Sequence, residues 1–185
     1  MTRVMVYEIS IKEKTPCFLE PRKLQITAQA SQPLSEIIPI LYLAIPNSKY
    51  AKAFGSVTFL LDEKLVTVYS SGRINLGCVL REEMAVKLLE KLKALLEKAF
   101  EYYEKNGPPD PKLVDAKQRL NPLEIYKYLP KTNCGECGEQ GCFAFAAKLA
   151  NGQKILKECS QIQQPKYRVN KEMLEKMLQP IKLEI

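Results

Sequence analysis

The chain of 185 residues is long enough for one hydrophobic core, or for a core with a small second unit, and its formal net charge is +7. With 46% hydrophobic and 26% charged residues it is typical of a folded protein. The absence of histidine excludes histidine-bound metals and histidine-activated nucleophiles. No apolar run reaches the roughly 20 residues of a membrane span, and the start of the chain lacks the form of a signal peptide. We therefore expect a cytoplasmic protein without a membrane span.

The first half of the chain predicts an α+β fold. In order, its patterns indicate strands at 4–11 and 23–28, a helix that Ser31 caps and that runs to about Ala44, strands at 56–61, 65–69 and 73–79, and a long helix from about 81 to 105. Short turns separate the last three strands, which favours an antiparallel meander. The long helix places its leucines and alanines on one face, which we expect to cover the sheet.

Residues 24–100 resemble one repeat of the TATA-box-binding protein. The resemblance depends on the order of the elements and on the phrase Val68-Tyr69-Ser70-Ser71-Gly72-Arg73-Ile74, with Gly77 after it. It implies an antiparallel sheet with two helices, whose open face would form a DNA saddle only in a homodimer. The DNA-kinking aromatic residues of that family correspond to Phe54 and Tyr69, and the alternative is that these side chains only pack on the sheet.

Two of the six cysteines, Cys17 and Cys78, lie in apolar stretches of this first half. Buried thiols in such surroundings are commonly inert. A chain that is not exported is also not expected to depend on disulfides. We therefore predict two unreactive thiols at these positions.

A stretch rich in proline, Asn106-Gly107-Pro108-Pro109-Asp110-Pro111, separates the two halves. Prolines and turn-forming residues at this density are typical of a domain boundary. The sequence thus predicts an α+β domain over 1–110 and a small, mostly helical domain over 111–185. The helices expected in the second domain are a two-turn helix from Pro122 to about Leu129, one from about Cys142 to Ala150, and one over 171–178 that Asn170 caps.

The other four cysteines carry the chemistry of the sequence. Cys134, Cys137, Cys142 and Cys159 are spaced C-x2-C-x4-C-x16-C, and three glycines lie between the first three of them. Four thiolates on a glycine-rich loop, whose backbone can approach inorganic sulfide closely, are typical of a [4Fe-4S] cluster. Zinc is the main alternative, but structural zinc sites usually use two well-separated C-x2-C pairs. The spacing therefore favours the cluster.

Residues 123–159 look like the small [4Fe-4S] domain of the corrinoid iron–sulfur protein large subunit, and they are similar to a module in the B subunit of the Rnf electron-transport complex. The phrases Lys131-Thr132-Asn133-Cys134-Gly135-Glu136-Cys137-Gly138 and Phe145-Ala146-Ala147-Lys148-Leu149-Ala150-Asn151-Gly152 carry this resemblance. The resemblance implies that Cys134, Cys137, Cys142 and Cys159 are the cluster ligands. The chain departs from the family at Ser160, where proline often follows the last cysteine.

Three functions are compatible with these features. The first is electron transfer to, or reductive activation of, a redox partner protein such as a corrinoid protein or methyltransferase of one-carbon metabolism. The second is a redox-sensing DNA-binding protein that uses a dimerised, saddle-like sheet, and the third is an assembly role with the first half as a dimerisation platform. Catalysis by this chain alone is not expected, because no general base or substrate motif is evident.

Overall fold

The computed structural model describes residues 8–181 and residue 183. Their contacts divide the chain into two compact units. Unit 1 holds the described residues up to Tyr42, Ser48–Pro109 and Leu183, and unit 2 holds Leu43–Asn47 and residues 110–181. None of the helices in the described part of the chain combines the length and the apolar composition of a membrane span.

Unit 1 is built on a six-stranded antiparallel sheet. Its elements are β1 (Ile9–Pro16), β2 (Leu24–Ala30), α1 (Ile38–Ala44, whose last two residues fall in unit 2), β3 (Lys49–Ala51), a 3-10 turn (Lys52–Phe54), β4 (Ser56–Leu61), β5 (Lys64–Tyr69), β6 (Arg73–Val79) and α2 (Glu82–Asn106). The strands lie in the order β1-β2-β6-β5-β4-β3. The predicted α+β class with an antiparallel sheet is confirmed.

The two faces of this sheet differ in chemistry. One face is apolar and fully buried at Ile26, Val66 and Ile74, because alternate side chains of a strand point to the same side. The opposite face carries a polar row in register, Thr27–Asn75–Thr67–Thr58. Thr58 and Thr67 share a hydrogen bond of 2.9 Å between their hydroxyls, whereas the buried Oδ1 of Asn75 has no partner among the described residues.

The start of unit 1 differs from the prediction in two places. The strand predicted at 4–11 is observed from Ile9, and residues 4–7 of that prediction lie outside the described part of the chain. The first helix begins at Ile38 and not at Ser31. Ser31 cannot cap it because its N–H donates to the Glu8 carbonyl (2.8 Å) and its Oγ accepts from the Glu8 N–H (3.2 Å), so the residue extends the sheet.

The prediction of two unreactive thiols at Cys17 and Cys78 is wrong, because the two residues form a disulfide with their Cα atoms 5.6 Å apart. β2 pairs with β1 on one side and with β6 on the other, so Leu24 has Pro16 and Val79 as its two partners. The residues next to those partners, Cys17 and Cys78, are therefore brought together across a separation of 61 positions. That contact depends on the order of the strands and leaves no local signal.

Unit 2 is helical. Its helices are α3 (Pro111–Gln118), α4 (Pro122–Tyr128), α5 (Cys142–Ala150) and α6 (Arg168–Leu178), with short 3-10 turns at Leu156–Glu158, Gln161–Gln163 and Pro165–Tyr167. Asn121 caps α4 as predicted, since its Oδ1 accepts from the Glu124 N–H at 3.0 Å. Asn170 does not cap the last helix, because its side-chain amide donates to the Tyr128 carbonyl at 3.0 Å and so closes the end of α4.

Candidate metal centre

The cysteine loop connects α4 to α5, and the four cysteines differ in exposure. Cys134 is exposed and Cys137 is half-buried, whereas Cys142 and Cys159 are buried. Cys142 and Cys159 belong to the hydrophobic core of unit 2, and Cys137 packs against that core. The structure therefore brings three of the four predicted ligands to one apolar region and leaves Cys134 at the surface.

The loop and the start of α5 are held together by Asn133. Its side-chain Oδ1 accepts a hydrogen bond of 2.8 Å from the backbone N–H of Cys142, the first residue of α5. Gly141 permits this approach, since a Cβ atom there would lie 3.1 Å from the same oxygen. The side chain thus caps a helix whose own N-cap position is glycine.

The loop is also tied to the segment that carries Cys159. The Glu136 carboxylate accepts from the Ser160 hydroxyl and from the Gln161 amide. Both hydrogen bonds lower the pKa of Glu136, and the one from Ser160 has the larger effect. Ser160 stands where the family resemblance led us to expect proline, and here its hydroxyl links the segment of the last cysteine to the loop.

Two lysines fix the other side of the loop. Lys154 donates to the Cys137 carbonyl at 3.2 Å and to Glu158 at 2.6 Å. Lys148 of α5 pairs at 2.8 Å with Glu139, whose side chain is 8% exposed. The carboxylate of Glu139 is therefore buried with its charge paired, as buried charges require.

Four residues near the cysteines adopt left-handed backbone conformations. They are Lys131 (φ 60°), Asn133 (φ 49°), Gly135 (φ 73°) and Gly138 (φ 80°). Glycine accepts such angles without strain, whereas lysine does so at a cost. Loops with left-handed residues are a common way of presenting backbone amides to an anionic group.

Burial and the neighbouring thiols both act on the pKa of Cys159. Burial is the largest cause that raises the pKa of Cys159, and the negative charge of Cys137 and Cys142 raises it further. Backbone N–H groups of Ile162 and Gln161 oppose the shift. A positively charged iron centre would offset both the energetic cost of burying these thiolates and their mutual repulsion.

Among the described residues, no three cysteine, aspartate or glutamate side chains converge as they would around a single metal ion. A [4Fe-4S] cluster makes a different demand, since each of its four irons takes one cysteine. The donor set fits that group: one half-buried, two buried and one exposed thiol, on a loop rich in left-handed residues. Asn133, Glu136 and Lys154 were not predicted to take part, because their partners lie 9, 24 and 17 positions away along the sequence.

The segment that contains the four cysteines is similar in sequence to known proteins. A family model described as "Putative Fe-S cluster" matches residues 129–161. The acetyl-CoA decarbonylase/synthase complex subunit gamma 1 of Methanosarcina thermophila is 46% identical over 61 residues, which are 32% of this chain and 13% of that protein. The corrinoid/iron-sulfur protein large subunit of Moorella thermoacetica is 60% identical over 40 residues, which are 22% of this chain and 9% of that protein. No solved structure matches the chain significantly.

These matches confirm the resemblance to the corrinoid iron–sulfur protein large subunit for the segment around the cysteines. The chain spans only 13% and 9% of the length of these two relatives. The matched range 129–161 contains all four cysteines of the motif. The second half of this chain therefore contains an iron–sulfur cluster domain similar to the one in corrinoid iron–sulfur proteins.

Proposed function

We propose that Cys134, Cys137, Cys142 and Cys159 bind one [4Fe-4S] cluster, and that the chain uses it to transfer electrons. The observation that carries the proposal is that Cys142 and Cys159 belong to one apolar core, against which Cys137 packs. Cys134 would be the fourth ligand from the exposed end of the loop. An apolar wall on one side and an exposed thiol on the other suit a centre that must be stable and still reach a partner.

The matched relatives are named as subunits of the acetyl-CoA decarbonylase/synthase complex and as a corrinoid/iron-sulfur protein. We infer from this similarity that the partner is a corrinoid protein or a methyltransferase of one-carbon metabolism, kept active by reduction. The chain would act as an electron carrier and not as the catalyst. Such a role needs only the cluster and a docking surface.

Anaerobic purification tests the cluster. The expected result is four irons and four sulfides per chain, as the definition of a [4Fe-4S] centre requires, and an electron paramagnetic resonance signal after reduction. A colourless protein with one zinc per chain would refute the proposal. Electron transfer from the reduced protein to a cobalamin protein, measured by the absorbance of the reduced cobalt, then tests the role. If a fully reduced cluster transfers no electrons, the proposed cluster stands but the proposed partner is refuted.

The open face of the sheet favours a second candidate, a redox-sensing DNA-binding protein. The polar row of that face ends at Lys49, the partner of Thr58, and Arg73 stacks on Tyr69 with its guanidinium 4.4 Å from the ring centre. The buried Asn75 oxygen in that row still needs a donor. Binding to duplex DNA that weakens steeply as salt rises would support this function, and the absence of binding at low salt would exclude it.

A further inference from the structure

An exposed aromatic patch lies beside the cysteine loop. We define it by four residues: Leu123 and Tyr126 of α4, Lys131 at the loop start, and Phe143 of α5. Leu123 is 61% and Phe143 is 49% exposed. Leu123 lies on the same side of α4 as Tyr126, which is three positions later. Tyr126 and Phe143 meet edge to face with their ring centres 5.6 Å apart, so the patch has a defined shape.

The patch borders two of the proposed ligands. Phe143 directly follows the buried Cys142, and Lys131 lies three positions before the exposed Cys134. A molecule seated on the patch would therefore stand next to the exposed end of the cysteine loop. Electron transfer between two proteins requires that the donor and the acceptor lie close together, and a partner on the patch would meet this requirement.

The charge of the patch comes from Lys131. Its backbone is held in the left-handed region (φ 60°), and its ammonium lies 5.4 Å from the centre of the Tyr126 ring. Within the described part of the chain, Lys131 has no ion-pair partner, whereas Lys127 of the same segment is paired with Glu124 at 2.6 Å. A strained residue with an unpaired cation over an aromatic ring is preorganised to meet an anion.

We propose that the aromatic patch is the docking site of the redox partner, and that the partner presents carboxylates around an apolar contact. This inference rests on the proposed electron-transfer function. Aromatic side chains at the centre and a charged residue at the rim are the usual anatomy of a transient protein interface. The complementary surface is acidic because the cation of the patch is uncompensated, and such a rim charge acts mainly on the rate of encounter.

Two redox proteins of opposite charge serve as probes: plastocyanin, which is acidic, and cytochrome c, which is basic. Both accept electrons from low-potential centres, so the reduced protein can be oxidised by either in a stopped-flow experiment. We expect the rate with plastocyanin to fall as salt rises, and Lys131→Glu to lower it about threefold or more at low salt. Phe143→Ala should lower it at all salt concentrations, since an apolar contact is not screened.

Lys176→Glu is the matched control, because it changes the net charge equally on the exposed side of α6 and outside the patch. Its rate with plastocyanin should change much less than that of Lys131→Glu. The docking site would be refuted if Lys131→Glu and Lys176→Glu lowered the rate with plastocyanin equally. It would also be refuted if Lys131→Glu lowered the rate with cytochrome c as much as the rate with plastocyanin. Iron content and the reduced spectrum, measured first in each variant, separate this result from a failure of the proposed cluster.

Discussion

The side chain of Asn133 and the backbone of Cys142 are joined by a hydrogen bond of 2.8 Å, in which the asparagine oxygen accepts from the first N–H of α5. One residue of the cysteine loop thereby fixes the helix that carries the third cysteine. Asn133 itself has φ 49°, a conformation that asparagine adopts more readily than most residues. The loop is therefore ordered by its own side chains as well as by any group it binds.

Asn133→Ala should destabilise unit 2 by about 1–2 kcal/mol, because it removes the cap and leaves alanine in the left-handed region. Asn133→Asp keeps the acceptor and should cost much less. Urea unfolding of the cluster-free chain, followed by circular dichroism, measures both. If the two variants were equally stable, the hydrogen bond would not be what orders the start of α5.

Cys134→Ala and Cys142→Ala should both abolish the brown chromophore, yet they should differ in the cluster-free chain. Cys142 is 8% exposed and belongs to the core of unit 2, so its truncation leaves a small cavity and costs about 1 kcal/mol. Cys134 is exposed and its truncation should change stability little. Unit 1 should stay folded in both variants. Thermal unfolding of each variant without iron makes the comparison, and retention of a full cluster in Cys134→Ala would remove that residue from the ligand set.

Local signals were enough to predict β6 with its observed bounds, Arg73–Val79, and to place α5 from Cys142 to Ala150. Each segment has a glycine with a left-handed backbone next to it, before β6 and shortly after α5. Gly72 has φ 86°, and a Cβ there would lie 2.7 Å from the Gln32 carbonyl oxygen, so the turn before β6 requires glycine. Gly152 after α5 likewise has φ 74°.

Other features could not be read from the sequence because they join residues far apart in it. The three residues of β3 are too few to show a strand period, and their place is given only by pairing with β4. The contact of Glu136 with Ser160 spans 24 positions. The Cys17–Cys78 disulfide likewise follows from the order of the strands, which no local pattern fixes.

Removing that disulfide should weaken unit 1 and spare the cluster. It closes a loop between residues 61 positions apart, and the loss of chain entropy in the unfolded state corresponds to about 4 kcal/mol. We therefore expect Cys17→Ser with Cys78→Ser to lower the free energy of unfolding by about that amount, with iron and sulfide content unchanged. The check is to count the reactive thiols of the chain without substitutions, after it has been unfolded under anaerobic conditions. Two of the six cysteines should be protected, so a count of six would show that the disulfide does not form.

Lys117 should make the stability of unit 2 rise at alkaline pH. Burial lowers the pKa of Lys117 from its ordinary 10.5 to about 8, while its ammonium donates to the Ile45 carbonyl at 3.1 Å. Between these pH values the unfolded chain binds the proton and the folded chain has released it, so the free energy of unfolding increases with pH. The burial cost is fully present below pH 8 and is relieved above it, by roughly 2 kcal/mol between pH 7 and pH 10.

Lys117→Met removes the titrating group and should abolish this difference, whereas Lys112→Met, an exposed side chain on the same helix, should preserve it. Urea unfolding at pH 7, 8.5 and 10 of the native chain and both variants isolates the effect, because each variant differs from the native chain by a single titrating lysine. A native chain whose pH dependence matches that of Lys117→Met would show that the ammonium is solvated in the folded state. In that case the hydrogen bond to Ile45 would have to form at the surface of unit 2, with no cost of burial to relieve.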